Sequence, residues 1–204
     1  MSETPLHLVS GRHAENRVAL FLRRWLANPL RMGSIIPSSP ALCRRVVRCG
    51  WPPPGGVVLE LGAGTGVISR AFLDAGLPPE RLVTVEIDPD LAACLRGTLD
   101  GATVLECDAR LLPDRLPRHF RSRIRSVICG IPLVLLPLAE QRRFIEAMQT
   151  VAPGQSFLHY SYCATSPLPA RKHGLTARRE AWTPLNLPPA SVWRYAPLPA
   201  ANVL

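Results

Sequence analysis

The chain has 204 residues, 47% of them hydrophobic, and carries 24 lysine and arginine side chains against 15 aspartate and glutamate, a net charge of +9. That length and apolar content exclude a disordered tail and predict one domain with a sizeable core, while the longest apolar stretch, 131–139, contains Pro132 and Pro137 and falls far short of the ~20 residues of a membrane-spanning helix. The opening MSETPLHLVSGRH lacks the pattern of a secretory signal, so a cytoplasmic location is expected, and six scattered cysteines without a CxxC pair or a histidine cluster predict reduced thiols and no metal.

The first element in chain order is NRVALFLRRWLA, 16–27. Val18, Phe21, Leu22, Trp25 and Leu26 follow helical spacing, and Arg17, Arg23 and Arg24 lie off that stripe. A basic amphipathic helix of this kind fits two roles, packing onto a core or lying in an anionic bilayer surface. Ser38 or Ser39 before Pro40 has the form of a cap and first turn of a second helix. Short β-rich runs follow at 57–61 (VVLEL), 82–87 (LVTVEI), 103–107 (TVLEC) and 125–129 (RSVIC), with helical spacing in TGVISRAFLDAG, DPDLAACLRGTL and LAEQRRFIEAMQTV. This alternation predicts an α/β fold with a parallel sheet covered on both faces. GQSFLHYSY, 154–162, continues it as a fifth strand, and EAWTPLN and SVWRYA, joined through LPPA, predict an antiparallel hairpin at the sheet edge.

Charge is unevenly placed. Residues 1–50 hold 8 basic and 2 acidic side chains, 51–108 hold 3 and 9, and 109–204 hold 13 and 4. An acidic centre suits a cationic small molecule, and its basic flanks suit a polyanion such as nucleic acid or an anionic membrane.

The acidic centre contains ELGAGTG, residues 60–66, at the end of the first strand. Gly62, Gly64 and Gly66 permit a sharp turn and close approach of backbone to a ligand. Glu86 ends the second strand, where a carboxylate can accept from ribose hydroxyls, and Asp108 ends the third. Position 67 is valine, so the third glycine of the dinucleotide pattern GxGxxG is absent, which favours a ligand without a diphosphate. Three acids around such a loop suit S-adenosyl-L-methionine, whose amino group and sulfonium are cationic.

The series ExGxGxG, then Glu86, then Asp108-Ala109 resembles the class I S-adenosylmethionine-dependent methyltransferases over roughly 55–160. The resemblance implies a Rossmann-like, mostly parallel seven-stranded sheet with a C-terminal antiparallel hairpin and extra N-terminal helices. It further implies one methyltransferase domain over 1–204, made of an amphipathic helical segment (1–50) and a Rossmann-like core (51–204). In the related enzymes that dimethylate ribosomal RNA adenine, an Asn-Leu-Pro-Tyr motif ends the fourth strand; the amide binds the amine and the ring stacks the base. Here CGIPLVLLP puts Gly130 at the amide position and Leu133 at the aromatic one, an apolar mouth that suits lipid better than a base.

NPLRMGSIIPSSP, VLELGAGTG, CGIPLVLLP, FLHYSY and NLPPASVWRY occur in the order seen in bacterial phospholipid N-methyltransferases, which convert phosphatidylethanolamine stepwise to phosphatidylcholine. By that resemblance Glu60, Gly62, Ala63, Gly64, Thr65, Gly66, Glu86, Ile87, Asp108, Ala109, Gly130 and Ile131 hold S-adenosyl-L-methionine. Ser34, Pro37 and Ser38 lie over the cofactor, and Ile35 and Ile36 reach the acceptor. S-adenosyl-L-homocysteine is the product. His159, the candidate base by motif position, and Tyr160 are the candidate catalytic residues, and Tyr160 and Tyr162 border the acceptor, where ring faces attract a growing quaternary ammonium. Arg178, Arg179 and Arg194 are candidates for the lipid phosphate. The expected partner is the inner face of the cytoplasmic membrane, bound peripherally through anionic lipid and phosphatidylethanolamine, by a monomer without nucleic acid or metal. A nucleic-acid methyltransferase and a catalytically vestigial cofactor-binding protein of the membrane surface are the alternatives.

Overall fold

A computed structural model describes residues 38–163 and 165–199; the helix expected at 16–27 and the candidates Ser34, Ile35, Ile36 and Pro37 lie outside them. Ser39 caps helix α1 (Pro40–Gly50), its hydroxyl accepting from the Leu42 amide at 3.2 Å, with Pro40 in the first turn as the sequence predicts. Strand β1 (Val57–Leu61) leads through the glycine turn into α2 (Val67–Asp74), and β2 (Leu82–Glu86) leads into α3 (Pro89–Thr98). After β3 (Thr103–Glu106) come two single-turn helices, α4 (Leu112–Arg115) and α5 (Arg118–Arg121), then β4 (Ile124–Cys129), α6 (Leu138–Val151) and β5 (Phe157–Ser161). The chain closes with the hairpin β6 (Leu175–Thr183) and β7 (Ala190–Pro197).

These strands form one seven-stranded sheet in the order β3-β2-β1-β4-β5-β7-β6. The first five are parallel, and β7 runs antiparallel to both β5 and β6. Every residue of β1 and β2 is buried, because helices cover both faces. Leu59, Leu61, Val127 and Phe157 pack on one face beneath Phe144 and Met148 of α6. Val58, Ile128 and Leu158 pack on the other against Leu42 and Val46 of α1 and Ile68 and Phe72 of α2.

The hairpin departs from expectation in its bounds. Strand β6 begins at Leu175 rather than Glu180 and stops at Thr183, because Pro184 offers no amide to a ladder. Its early residues are exposed edge positions rich in charge, so no apolar alternation announces them.

Candidate active site

The carboxyl ends of β1 to β4 converge on a pocket lined by Gly62, Val85, Glu86, Ile87, Cys107, Asp108, Ala109, Gly130, Ile131, Pro132 and Phe144. Seven of the sequence candidates, Gly62, Glu86, Ile87, Asp108, Ala109, Gly130 and Ile131, are thus brought together. Gly62 has φ 69°, and a Cβ there would stand 2.8 Å from Ile131 Cγ1. Gly66 has φ 76° and opens α2, with a Cβ 2.6 Å from Leu95. Both positions therefore require glycine. Ala63 is buried and Thr65 exposed at the tip of the turn.

Glu86 is fully buried and locks this turn. Its Oε2 accepts from the Gly64 amide at 2.8 Å, and its Oε1 accepts from the Ile87 and Asp88 amides at 2.8 and 2.9 Å. Burial raises its pKa, and the three amide donors oppose that rise. A carboxylate has about four acceptor positions, so this one keeps only one for a ligand while Gly64 stays bound.

Glu60 points the other way, toward α1 and α2. It is 0% exposed, accepts from the Ser69 hydroxyl through Oε2, and leaves Oε1 without a partner. Burial pushes its pKa up to about 7; the Ser69 hydrogen bond and Arg70 work against the rise, and Glu86 adds to it.

Asp108 caps a short turn, accepting from the Arg110 amide at 2.9 Å. The Arg110 guanidinium grips the same carboxylate, reaches Glu140 Oε2 at 2.6 Å, and lies 5.4 Å from the Phe144 ring centroid. Burial works against the Arg110 charge, but Asp108 and Glu140 outweigh it and hold its pKa above the ordinary value. This Asp108–Arg110–Glu140 chain is absent from the sequence reading. Arg110 stands two residues after Asp108, a local signal; Glu140 is 30 residues further on and gives none.

The two residues expected to be catalytic lie on opposite faces of β5, as neighbours in a strand must. His159 is 2% exposed, and its Nδ1 stands 2.9 Å from the Cys129 carbonyl, to which only an N–H can donate. Burial lowers its pKa, so the ring is neutral and braces β4 against β5. Tyr160 shares the other face with Leu158 and Val192. Its hydroxyl lies where a Gly130 side chain would begin: a Cβ at Gly130 would stand 2.7 Å from Tyr160 Oη and 2.7 Å from the Gly62 carbonyl. Burial holds the Tyr160 phenol well above its ordinary range, so it remains protonated. Tyr162 is partly buried and packs against the same face of the core as Tyr160.

The three arginine candidates are not gathered at this end of the sheet. Arg194 pairs in register with Leu158, low on β5, and donates to Glu180 (2.7 Å), Ser156 (2.9 Å) and the Cys49 carbonyl (2.7 Å). Arg178 shares Glu180 at the exposed edge, and Arg179 lies 5.9 Å from the Trp193 ring centroid. The bonds of Arg194 fasten the hairpin to the body, while the contacts of Arg178 and Arg179 stay within it.

No family model matches the chain. It is 34% identical over 142 residues to an ornithine lipid N-methyltransferase of Singulisphaera acidiphila, a match covering 68% of this chain and 74% of that enzyme. The chain belongs to the S-adenosylmethionine-dependent methyltransferases. This methyltransferase is also 40% identical to ribosomal RNA small subunit methyltransferase A of Rhodococcus erythropolis, over only 36% of the chain and 27% of that enzyme. Among solved structures it matches a precorrin-6y C5,15-methyltransferase of Geobacter metallireducens with a TM-score of 0.60 at 13% identity, covering 81% of this chain and 92% of that one. A TehB-like S-adenosylmethionine-dependent methyltransferase of Corynebacterium glutamicum gives 0.55 at 13% identity, over 92% and 99%. Both likenesses concern the fold, which is the class I Rossmann-like one. The cofactor is S-adenosyl-L-methionine, and the buried acids and glycine cradle fit it: two acids face the pocket, and a third, Glu60, keeps a desolvated oxygen without a partner.

Proposed function

We propose that the enzyme methylates the amine of phosphatidylethanolamine and its methylated intermediates toward phosphatidylcholine, bound peripherally at the inner face of the cytoplasmic membrane. One observation carries the reading: the acceptor-side turn has no room for a base-binding amide, since a Cβ at Gly130 meets Tyr160 Oη and the Gly62 carbonyl at 2.7 Å. Leu133 at the aromatic position is 0% exposed and offers a base no platform.

When bound, S-adenosyl-L-methionine supplies an electrophilic methyl group on a good leaving thioether. Glu86 and the turn at Gly62 and Gly64 would hold its ribose side, and Asp108, fixed by Arg110, would hold its base side beside Ile131 and Phe144. The protein then has to align a neutral amine and exclude water. Tyr160, kept protonated, orients the amine as a hydrogen-bond partner and is no base; the amine loses its proton to water. Neutral His159, turned to the far face, positions the end of β4.

A second reading has its own support. The relative at 34% identity is named for ornithine lipid, so the amine of that lipid is the competing acceptor. Expression in a bacterial host that makes neither phosphatidylcholine nor ornithine lipid, followed by lipid chromatography and mass spectrometry, tests the proposal. Mono-, di- or trimethylated phosphatidylethanolamine supports it. An unchanged lipid profile with the protein present opposes it.

A further inference from the structure

Nine large hydrophobic side chains stand exposed among the described residues, and six of them fall in two short segments at the pocket end of the sheet. Val134 (39% exposed), Leu135 (52%) and Leu138 (38%) follow β4, while Trp182 (51%), Leu185 (72%) and Leu187 (69%) surround the β6–β7 turn. Residues 130–139 and 181–193 contain no charged side chain. Since β5 lies between β4 and β7, and neighbouring strands stand about 4.8 Å apart, the two segments flank the end of β5 at roughly 10–15 Å from one another.

The hairpin tip is braced to present its leucines outward. Asn186 is 3% exposed; its Oδ1 accepts from the Ser39 amide at 2.8 Å, and its Nδ2 donates to the Pro188 carbonyl at 2.9 Å. Thr183 Oγ1 accepts from the Leu185 amide at 3.2 Å. With residue 186 drawn inward, its neighbours 185 and 187 point away. Beside them Arg45 of α1 donates to the Trp182 carbonyl at 2.8 Å, and the exposed Arg44 precedes it on that helix. An uncharged apolar prow beside cationic side chains, on a chain of net charge +9, complements one kind of partner: a surface of apolar chains under anionic headgroups.

We propose that the β6–β7 tip, through Leu185 and Leu187, inserts into a lipid surface and, with Val134 and Leu135 as a second prong, seats the mouth beside Tyr160 against the headgroup layer. The proposal rests on the lipid-acceptor reading but is tested apart from it. The experiment uses the full chain with Leu185→Asp and Leu187→Asp combined, floated with vesicles of phosphatidylglycerol and phosphatidylethanolamine. Thermal unfolding, size-exclusion chromatography and methyl transfer to phosphatidylethanolamine in detergent micelles run alongside. The vesicle concentration for half-binding should rise about tenfold or more, with melting temperature and micellar transfer unchanged. Tip-dependent flotation in a parent that methylates no lipid supports the docking and sinks only the acceptor reading. Half-binding within twofold of the parent overturns the docking. So does a fall in melting temperature that accompanies the loss, which would mean that the two leucines are packed into the fold rather than offered to a lipid surface. A parent dimer that the substitutions split also overturns it, the occupant then being a second copy.

Discussion

Replacing Glu60 by glutamine removes one ionisable group from the floor of the glycine turn and leaves its shape. A carboxyl whose folded pKa stands above its unfolded value contributes stability below the unfolded value and loses it as pH rises through the folded one. Glu60 moves from an ordinary 4.5 to about 7 because it is fully desolvated, with Ser69 as its hydrogen-bond donor. That gap of about 2.5 pH units, at about 1.4 kcal/mol each, makes about 3.5 kcal/mol of stability disappear between pH 4.5 and 7. The variant should lack this decline. Its absolute stability is a poor readout, because the buried amide nitrogen costs about 1–3 kcal/mol for want of a partner; the difference in slope is the readout. His159 works in the opposite sense, weakening the fold as pH falls through 6.5, but it is common to both proteins and cancels. Urea unfolding at half-unit steps from pH 4.5 to 8 measures the slopes. Parallel curves for parent and variant would refute the desolvation argument.

Glu86→Gln keeps the size of the side chain but leaves one acceptor oxygen for three backbone amides, so it should cost about 1.5–3 kcal/mol in denaturant unfolding and weaken S-adenosyl-L-methionine in calorimetry. Unchanged affinity would mean that Glu86 serves the turn alone. Gly130→Ala forces a methyl group against the Gly62 carbonyl and Tyr160 Oη, both at 2.7 Å; about 1–3 kcal/mol of stability and most methyl transfer should go, and an active, equally stable variant would contradict the packing. Arg194→Ala breaks bonds to Glu180, Ser156 and Cys49 and should lower stability by about 1.5–3 kcal/mol while leaving transfer per folded molecule intact. Selective loss of activity on lipid would instead return Arg194 to the role of phosphate ligand.

What the sequence disclosed follows the range of the interactions concerned. Strands β1 to β5 were readable because parallel strands covered on both faces are short apolar runs between turn residues. The glycine turn was readable because a left-handed φ leaves a glycine at each of positions 62, 64 and 66. Strand β6 was not, because exposure at an edge removes the apolar signal from Leu175 to Arg179. The Arg110–Glu140 pair and the bond between Ser39 and Asn186 join residues 30 and 147 apart, and no local pattern records such a meeting. Arg178 and Arg194 stand in the sequence as candidates for the lipid phosphate because nothing there shows that Glu180 lies between them. The outward leucines of the hairpin tip passed unremarked for the same reason: their exposure depends on Asn186 turning inward.

The central claim is that this methyltransferase acts on the amine of a membrane lipid. Incubating the purified full chain with methyl-labelled S-adenosyl-L-methionine and, in separate arms, phosphatidylethanolamine vesicles, ornithine lipid vesicles and ribosomal RNA measures it directly. Label should appear in methylated phosphatidylethanolamine, and RNA should remain unlabelled. Label in RNA with both lipid arms blank would contradict the account, and label in ornithine lipid alone would replace the acceptor while keeping the site.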